Sequence, residues 1–571
     1  MRRRVKDAGL TINAIAGTHV VFFGLNLIKS KRPGFRGFAF KRFDSQTGET
    51  VWLRGLKTFE ATEPHPAPGE TFSTRDQPVQ GFQWADYGVK PGCDYTYTIV
   101  ALYGAPAALV VRGEVEIDIT TEPETGATHS AFFNRGSVAT QEYARRFQNK
   151  KPSVAGPGAY EWLSRGLLEA LVAFIDRAGA GWSIHGAVYE FQWPAVLAAI
   201  KRAHIRGADV RVLFDNIEAY DKKGKPKGPW KNNRDAIETA KIKSLCKGRG
   251  NGNLMHNKFF VLSRHGQPEA VWTGSTNLTE NGIFGHSNVG QIVEDRSVAK
   301  AFLDYWHRLK VDPAVEKTYR ATNSTASPAP PTPWGVGTTV VFSPRGTTTK
   351  LDALEWYAKI AQGARNGLFM TFAFGMHESF KNVYRTNDAV LRMALLEKPG
   401  NNPNTLEQDK KDIQKIRNRP NVVVAIGNRI RTNSFDRWLA EMDRINPHVH
   451  VYWIHTKYML VDPLGAQPIV VSGSANFSKA STYDNDENML VIWGDKRIAD
   501  IFFGEYIRLY AHYAFRESVA FFVEKKKAGT PEEWRPQFLI DTDDWMTPYF
   551  DPSDRGARYT RRTYFAGPMD E

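Results

Sequence analysis

The chain has 571 residues, too many for one hydrophobic core, and its 42% hydrophobic and 12% aromatic content is that of an ordinary globular protein of three or four domains. Lysine and arginine exceed aspartate and glutamate by 75 − 61 = 14, which favours polyanions or anionic membrane faces as partners and says nothing about fold. Two cysteines, Cys93 and Cys246, exclude a disulfide framework and a cysteine-based zinc site, and no stretch approaches the ~20 apolar residues of a membrane span.

The start, MRRRVKDAGLTINAIAGTHVVFFGLNL, pairs a basic beginning with an apolar run. Asn13, His19 and Asn26 interrupt that run and no small-residue cleavage site follows, so a signal peptide is not the expected reading. The default is a cytoplasmic protein, with secretion as the alternative. Short alternating runs separated by Pro/Gly-rich turns predict an all-β module over residues 1–124. In GVKPGCDYTYTIVALY, Tyr95, Tyr97 and Ile99 share one face, while Thr96, Thr98 and Val100 share the other. This segment resembles the penultimate strand of a fibronectin type III or immunoglobulin-like sandwich, in which a tyrosine near the strand start caps the corner.

Beyond the polar TTEPETGATHS the pattern changes to helix and strand in alternation, as expected of a mixed sheet covered by helices. AYEWLSRGLLEALVAFIDRAG has apolar residues at three-to-four spacing and reads as one helix, WSIHGAVYEF as a strand, WPAVLAAIKRAHIRG as a helix and ADVRVLFD as a strand. Between Lys222 and Arg249 the chain carries ten basic residues against two acids. Such a run is most often a solvated face; the functional alternative is an electropositive rim that gathers a phosphate-bearing substrate. A Pro/Ser/Thr linker is expected over 322–337. The strand–helix–strand order then starts again, giving a first lobe at 125–321, a second at 338–515 and a C-terminal wrap over the second lobe at 516–571. The acids Asp541, Asp543 and Asp544 in the wrap fit no calcium loop and are read as a turn.

The lobes share a motif. MHNKFFVLSRHGQPEAVWTGSTNLTENGIFGHSN (255–288) and IHTKYMLVDPLGAQPIVVSGSANFSKASTYDNDEN (454–488) align His256 with His455, Lys258 with Lys457, Gly274 with Gly473, Ser275 with Ser474 and Asn277 with Asn476. Matched spacing over that length means duplication, hence two similar halves about a pseudo-twofold axis. In each copy His-x-Lys is predicted to sit in a strand, with both side chains on one face, and a hairpin returns with Gly-Ser-x-Asn, the glycine permitting close approach. Lysine, asparagine and serine donate to phosphoryl oxygens, and histidine attacks phosphorus or moves a proton. One copy supplies one histidine, whereas a covalent route through phosphorus needs a nucleophile and a leaving-group acid; two facing copies supply both.

The doubled H-x-K-x4-D…G-S-x-N pattern resembles the phospholipase D superfamily. The second copy matches fully, through Asp462 and on to Glu487; the first has Ser263 in place of the aspartate, a feature shared, as the resemblance implies, with the tyrosyl-DNA phosphodiesterase branch. The resemblance covers residues 128–515. It implies an α/β fold of two pseudo-symmetric lobes, with mixed sheets flanked by helices, preceded here by the small all-β sandwich. It also implies a monomeric, metal-independent and cofactor-free phosphodiesterase with one active site between the lobes. His256, His455, Lys258, Lys457 and Glu487 would be catalytic, with His256 as nucleophile and His455 as general acid by family analogy, the reverse assignment being the alternative because the sequence does not show which histidine Glu487 serves. Lys258, Lys457, Ser275, Asn277, Ser474 and Asn476 would bind phosphate, and Asp462, Ser263, Gly274 and Gly473 would shape the motif, Asp462 by fixing its own turn and Ser263 by imitating it. Glu487 is expected to hold one imidazole by Nδ1, a service for which GHSNVGQ of the first copy offers only Ser287 and Asn288. His185, His265, His286 and His377 are read as structural. The leading expectation for substrate is phospholipid head-group hydrolysis or exchange, with peripheral membrane contact; the alternatives are a nucleic-acid phosphodiesterase and a non-catalytic binding or assembly protein.

Overall fold

The computed structural model describes every residue except 68–69, 137–139, 149, 328–336, 348–351, 401, 427–453, 528–536 and 568–571. Most of the expected linker lies outside the described residues; its first residues, 322–326, belong to the helix Lys317–Ala326.

The N-terminal module is built from β1 (Arg2–Asp7), β2 (Leu10–Ala16), β3 (Val21–Leu27), β4 (Phe35–Asp44), β5 (Glu49–Trp52), the short pair β6 (Arg54–Gly55) and β7 (Phe72–Ser73), β8 (Gln83–Asp86), β9 (Asp94–Ala105) and β10 (Ala108–Thr120). Two antiparallel sheets, ordered β1-β2-β3-β8 and β10-β9-β4-β5, enclose a core that includes Ile12, Phe23, Phe40, Tyr97 and Ile117. The alternation read in β9 carries through: Tyr95, Tyr97 and Ile99 join that core. The Tyr95 hydroxyl accepts the Lys90 N–H at 2.9 Å, closing the corner before the strand.

Each lobe holds a seven-stranded mixed sheet. The first comprises β11 (His129–Phe133), β12 (Trp182–Val188), β13 (Asp209–Asp215), β14 (Cys246–Arg249), β15 (Lys258–Arg264), β16 (Gln267–Gly274) and β17 (Val289–Val293), in the order β11-β17-β16-β15-β12-β13-β14. The second comprises β18 (Gly337–Ser343), β19 (Gly367–Phe372), β20 (Leu391–Leu396), β21 (Val422–Ile426), β22 (Tyr458–Val461), β23 (Ile469–Gly473) and β24 (Glu487–Trp493), in the order β18-β24-β23-β22-β19-β20-β21. Strand for strand the orders are the same. The sheets pack toward one another through a continuous core that includes Phe259, Phe302, Phe342, Phe369 and Tyr458, each 1% exposed or less. Full burial of one such side chain contributes ~1.5–3 kcal/mol, so this shared core adds to the stability that each lobe draws from its own core.

Three features depart from the sequence reading. The helix expected across AYEWLSRGLLEALVAFIDRAG is two helices, Pro157–Ser164 and Leu167–Asp176, because Arg165 and Gly166 adopt left-handed φ of 49° and 86°. The break turns Arg165 inward, where it donates to Phe133 O and pairs with Glu505 of the second lobe at 2.6 Å. The helix Lys496–Lys527 crosses the expected boundary at 515. The C-terminal segment packs against the β-sandwich as well as the second lobe: Trp545 stacks on Phe82, while Phe565 lies against Phe22 of β3 and Phe369 of β19. Its aspartates form a turn, with Asp543 accepting the Gly34 N–H.

Candidate active site

The two motifs meet at the lobe boundary, and each is completed by the other lobe. The histidines stand just before their strands, not within them, because Met255 and Ile454 form parallel bridges with Asp486 and Ser287 across the boundary. The entry residues are tied from behind in the same way: the Met255 N–H donates to Asp215 at 3.0 Å and the Ile454 N–H to Glu397 at 2.8 Å. These carboxyls end β13 and follow β20, equivalent strands. His256 N–H then reaches Asp486 O at 3.0 Å, and His455 N–H reaches Ser287 Oγ at 3.3 Å.

A constant offset of 199 residues relates the copies, so Glu487 corresponds to Asn288. The structure pairs each with the opposite histidine. Glu487 Oε2 lies 2.8 Å from His256 Nδ1, and Asn288 Oδ1 lies 2.8 Å from His455 Nδ1. Asn288 Nδ2 donates to Gly282 O, which fixes its oxygen toward the imidazole, so Nδ1 of His455 carries the proton. A carboxylate demands the same tautomer of His256. In both rings Nε2 is therefore the nitrogen left for chemistry.

Lys258 and Lys457 each fold back to donate to the carbonyl of the histidine two residues before, at 2.5 Å in both lobes. Gly274 (φ 151°) and Gly473 end their strands where a Cβ would meet Val289 O at 2.2 Å and Asn488 O at 2.3 Å, so only glycine admits this approach. Ser275 and Ser474 differ from the phosphate-binding expectation. Ser275 Oγ donates to Asn288 and accepts the Val289 N–H; Ser474 Oγ donates to Asn488 O and accepts the Asn488 N–H. Both hydroxyls are fully buried and already satisfied, which makes them supports of the strand that carries Asn288 or Glu487. Asn277 and Asn476 keep an unsatisfied buried Oδ1.

Asp462 binds a neighbour instead of its own turn. Its carboxylate accepts the N–H groups of Arg365, Asn366 and Gly367, the entry to β19, at 3.0, 2.7 and 2.9 Å. Ser263 does not imitate it: the chain runs on as β15 there, and Ser263 Oγ is buried with no hydrogen-bond partner.

Electrostatics set the resting state. His256 is 7% and His455 9% exposed. Burial lowers the His256 pKa to about 4 against the pull of Glu487. Burial, then Lys457 and His286, hold His455 well below the ordinary value. Burial also brings Lys258 down to about 7 and Lys457 well below its usual range, with Lys258 adding to the latter. Two imidazoles and two lysines thus converge in a buried cleft, and an anion bound there would offset the burial cost of their charged forms.

Several residues here carried no sequence signal. Tyr189 and Glu190 follow β12; the Tyr189 ring lies 5.0 Å from His256 and 5.2 Å from Lys258 Nζ. Glu190 accepts from Thr279, and burial raises its pKa. Strand register places Val188 opposite Lys258 and, by continuation from Met370 opposite Met459, Phe372 at the Lys457 station. Phe374 of the second lobe thus occupies the position of Glu190. Arg249, last of the basic run, is 0% exposed and joins Asp486 at 2.9 Å and Asp312 at 2.6 Å, while Tyr319 donates to Asp486 at 3.1 Å. It is therefore an inter-lobe strut and no part of a solvated rim. Asn288 was visible in the sequence only as the first copy's substitute for Glu487, and Arg249 only as the end of the basic run; neither pairing across the lobes was. Of the four remaining histidines, His185 packs on Trp306, His265 lies in the β15–β16 turn and His377 caps the helix Glu378–Tyr384. The His286 ring stands 5.5 Å from His455. Among the described residues no group of three or more His, Cys, Asp or Glu is arranged to hold a metal ion.

A family model described as a cardiolipin synthase, PLD-like domain matches residues 171–310 and 404–506, segments containing both motifs. No curated protein matches the chain. Among solved structures, phosphatidylserine synthase of Haemophilus influenzae Rd KW20 is 12% identical, over 63% of this chain and 91% of its own, with a TM-score of 0.44. Polyphosphate kinase of Porphyromonas gingivalis is 12% identical, with a TM-score of 0.34; 58% of this chain is covered, and it spans only 46% of that protein. Nuc of Salmonella typhimurium, a phospholipase D family member, is 23% identical over 25% of this chain and 86% of its own, with a TM-score of 0.21. At these scores none of the three bears on activity.

Proposed function

We propose that the chain is a phosphodiesterase of the phospholipase D-like type, working through a phosphohistidine, with phospholipid head-group hydrolysis or exchange as its reaction. The observation that carries the reading is the reciprocal pinning of the two imidazoles by Nδ1, which directs two Nε2 atoms to one cleft beside two lysines. His256 Nε2 attacks phosphorus, the P–O bond to the leaving alcohol breaks, and that oxygen takes the proton from His455 Nε2. Water or an acceptor alcohol, deprotonated by His455, then attacks phosphorus, and the P–N bond breaks to restore His256. Glu487 favours the nucleophile role for His256, because its carboxylate stabilises the positive charge that develops on the ring; the neutral Asn288 leaves His455 the readier proton donor. Lys258 and Lys457 neutralise the phosphoryl oxygens, and the bound anion returns His455 to the protonated state that the first step needs. The acceptor Oδ1 atoms of Asn277 and Asn476 imply that their amide nitrogens do any phosphoryl binding.

Lipid is the preferred substrate because the matching family is described as a cardiolipin synthase type. A nucleic-acid phosphodiester is the second reading, favoured by the net charge of +14. The test is incubation of the pure protein, in EDTA, with phosphatidylcholine and phosphatidylglycerol vesicles, single-stranded DNA and duplex DNA, beside His256→Asn and His455→Asn. Lipid turnover in EDTA, lost in both variants, is expected. Turnover that only a divalent ion restores would sink the mechanism, and DNA cleavage without lipid turnover would replace the substrate.

A further inference from the structure

Arg249 accounts for the end of the basic run; its beginning is different. Residues 221–228, DKKGKPKG, are all exposed. They form a tip closed by Asp221, whose carboxylate accepts the N–H groups of Lys223 and Lys225 at 2.8 and 2.9 Å, and by the Lys227 N–H on Ala219 O at 2.8 Å. The ion pairs of the neighbourhood are made by Lys231, Arg234 and Lys243, which leaves Lys222, Lys223, Lys225 and Lys227 in solvent. Beside them Tyr220 is 55% exposed, its ring edge-on to Trp230 at 5.6 Å.

The tip leads into the helix Trp230–Ala240, whose Asn233 donates to Tyr189 O at 2.8 Å. The Tyr189 ring lies 5.0 Å from His256, which sets the tip on the His256 side of the cleft. It leaves the sheet after Asp215, the carboxyl that holds Met255 next to His256. In the second lobe the equivalent position follows Glu397, which holds Ile454 next to His455, and the residue there is Lys398. Its Nζ lies 5.9 Å from the ring centroid of Phe374, an aromatic side chain 38% exposed at the station of Glu190. Each side of the cleft thus presents an exposed aromatic ring with lysine beside it, and the lysines are concentrated on the His256 side.

We propose that this rim docks the protein on an anionic lipid surface, the lysine tip on head-group phosphates and Tyr220 and Phe374 at the interface; the proposal rests on the phospholipid reading above. Lysines held near an anionic leaflet are attracted additively within a Debye length, and aromatic rings favour the head-group boundary. Single-stranded nucleic acid would be served by cations and stacking rings spaced along a groove, whereas here the cations gather in one projecting tip and the opposite side offers an apolar ring.

The experiment is cosedimentation of the full chain bearing His256→Asn, which leaves the lipid intact, with vesicles of phosphatidylcholine alone or with one-third phosphatidylglycerol. Preference for the anionic vesicles is expected, weakening with salt, and Lys222/Lys223/Lys225/Lys227→Gln is expected to lower binding at least tenfold. Tyr220→Ser with Phe374→Ser, which keeps every lysine, is a second probe and is expected to lower binding severalfold. In the active background the lysine variant should retain turnover of a soluble short-chain phosphodiester. Equal binding to both vesicle types, or undiminished binding by both variants, would overturn the proposal. So would tighter, salt-steep binding to single-stranded DNA that the lysine variant abolishes. Vesicle binding without lipid turnover by the wild type would instead sink the proposed reaction and leave the docking face standing; turnover of soluble phospholipid without vesicle binding would do the reverse.

Discussion

The two lobes have the same strand order and the same motif at a fixed offset, yet they differ at the residues that contact each imidazole from the opposite lobe. His256 faces a carboxylate and His455 an amide; Asp486, beside the first, is locked by Arg249, whereas its counterpart Ser287 has only a hydroxyl to offer. Glu190 in one lobe is Phe374 in the other. Duplication therefore supplied two copies of the scaffold, and divergence at a few positions of the boundary supplied different electrostatics to otherwise equal imidazoles. The difference teaches that symmetry of backbone and asymmetry of charge are separable: one is set by strand pairing, the other by single side chains reaching across.

The sharpest way to break the comparison is to remove each histidine. With a natural alcohol leaving group, His256→Asn and His455→Asn are each expected to lose turnover by ~10³-fold or more. With a p-nitrophenyl leaving group, which departs unprotonated, His455→Asn should recover formation of an acid-labile, base-stable phosphoprotein and His256→Asn should not. Recovery by His256→Asn instead would exchange the two roles.

Arg249→Met tests the strut. It leaves Asp486 buried without its cation, and breaking such a pair costs ~3–5 kcal/mol, read as a drop in the urea midpoint. A double change with Asp486→Asn should return much of that loss.

Glu487→Gln is expected to cost ~100-fold in kcat/KM, since the imidazole keeps its place and loses its countercharge. The pH profile gives the sign. Attack needs neutral His256, so the acid limb of kcat/KM for the free enzyme should lie near the lowered value of about 4. Because Glu487 opposes that lowering, Gln should move the limb further down; an upward movement would contradict the contact. Asn288→Asp is the converse, raising the His455 pKa and shifting the basic limb upward with less than tenfold change in rate.

The smallest effect concerns the motif position that distinguishes the copies. Asp462→Ala removes a half-exposed acceptor of three backbone N–H groups and should destabilise by ~1–2 kcal/mol by denaturant titration, after discounting for solvent. Ser263→Ala, which removes a buried and unpaired hydroxyl, should be neutral or stabilising.

Much of this was legible from local pattern. Alternation in β9, three-to-four spacing in the helices and the restart of strand–helix order gave two mixed-sheet lobes behind an all-β module, because periodicity reports which face is buried. The glycines ahead of Ser275 and Ser474 were readable for the same local reason, a backbone approach that excludes Cβ. The helix break at Arg165 was not: its spacing is helical throughout, and what favours the left-handed turn is a buried Glu505 some 340 residues away. The serines misled because donor chemistry suits phosphate equally well whether or not a neighbouring strand has already claimed it.

By itself the sequence determined the duplication, the two His-x-Lys motifs, their unequal acids and the chemistry that two such motifs can perform together, all of which are properties of residue type and spacing. Only the tertiary structure decided that Glu487 serves His256 and Asn288 serves His455. The physical reason is that strands entering the site pair across the lobe boundary, Met255 with Asp486 and Ile454 with Ser287, so each histidine is oriented by the half of the chain that does not contain it.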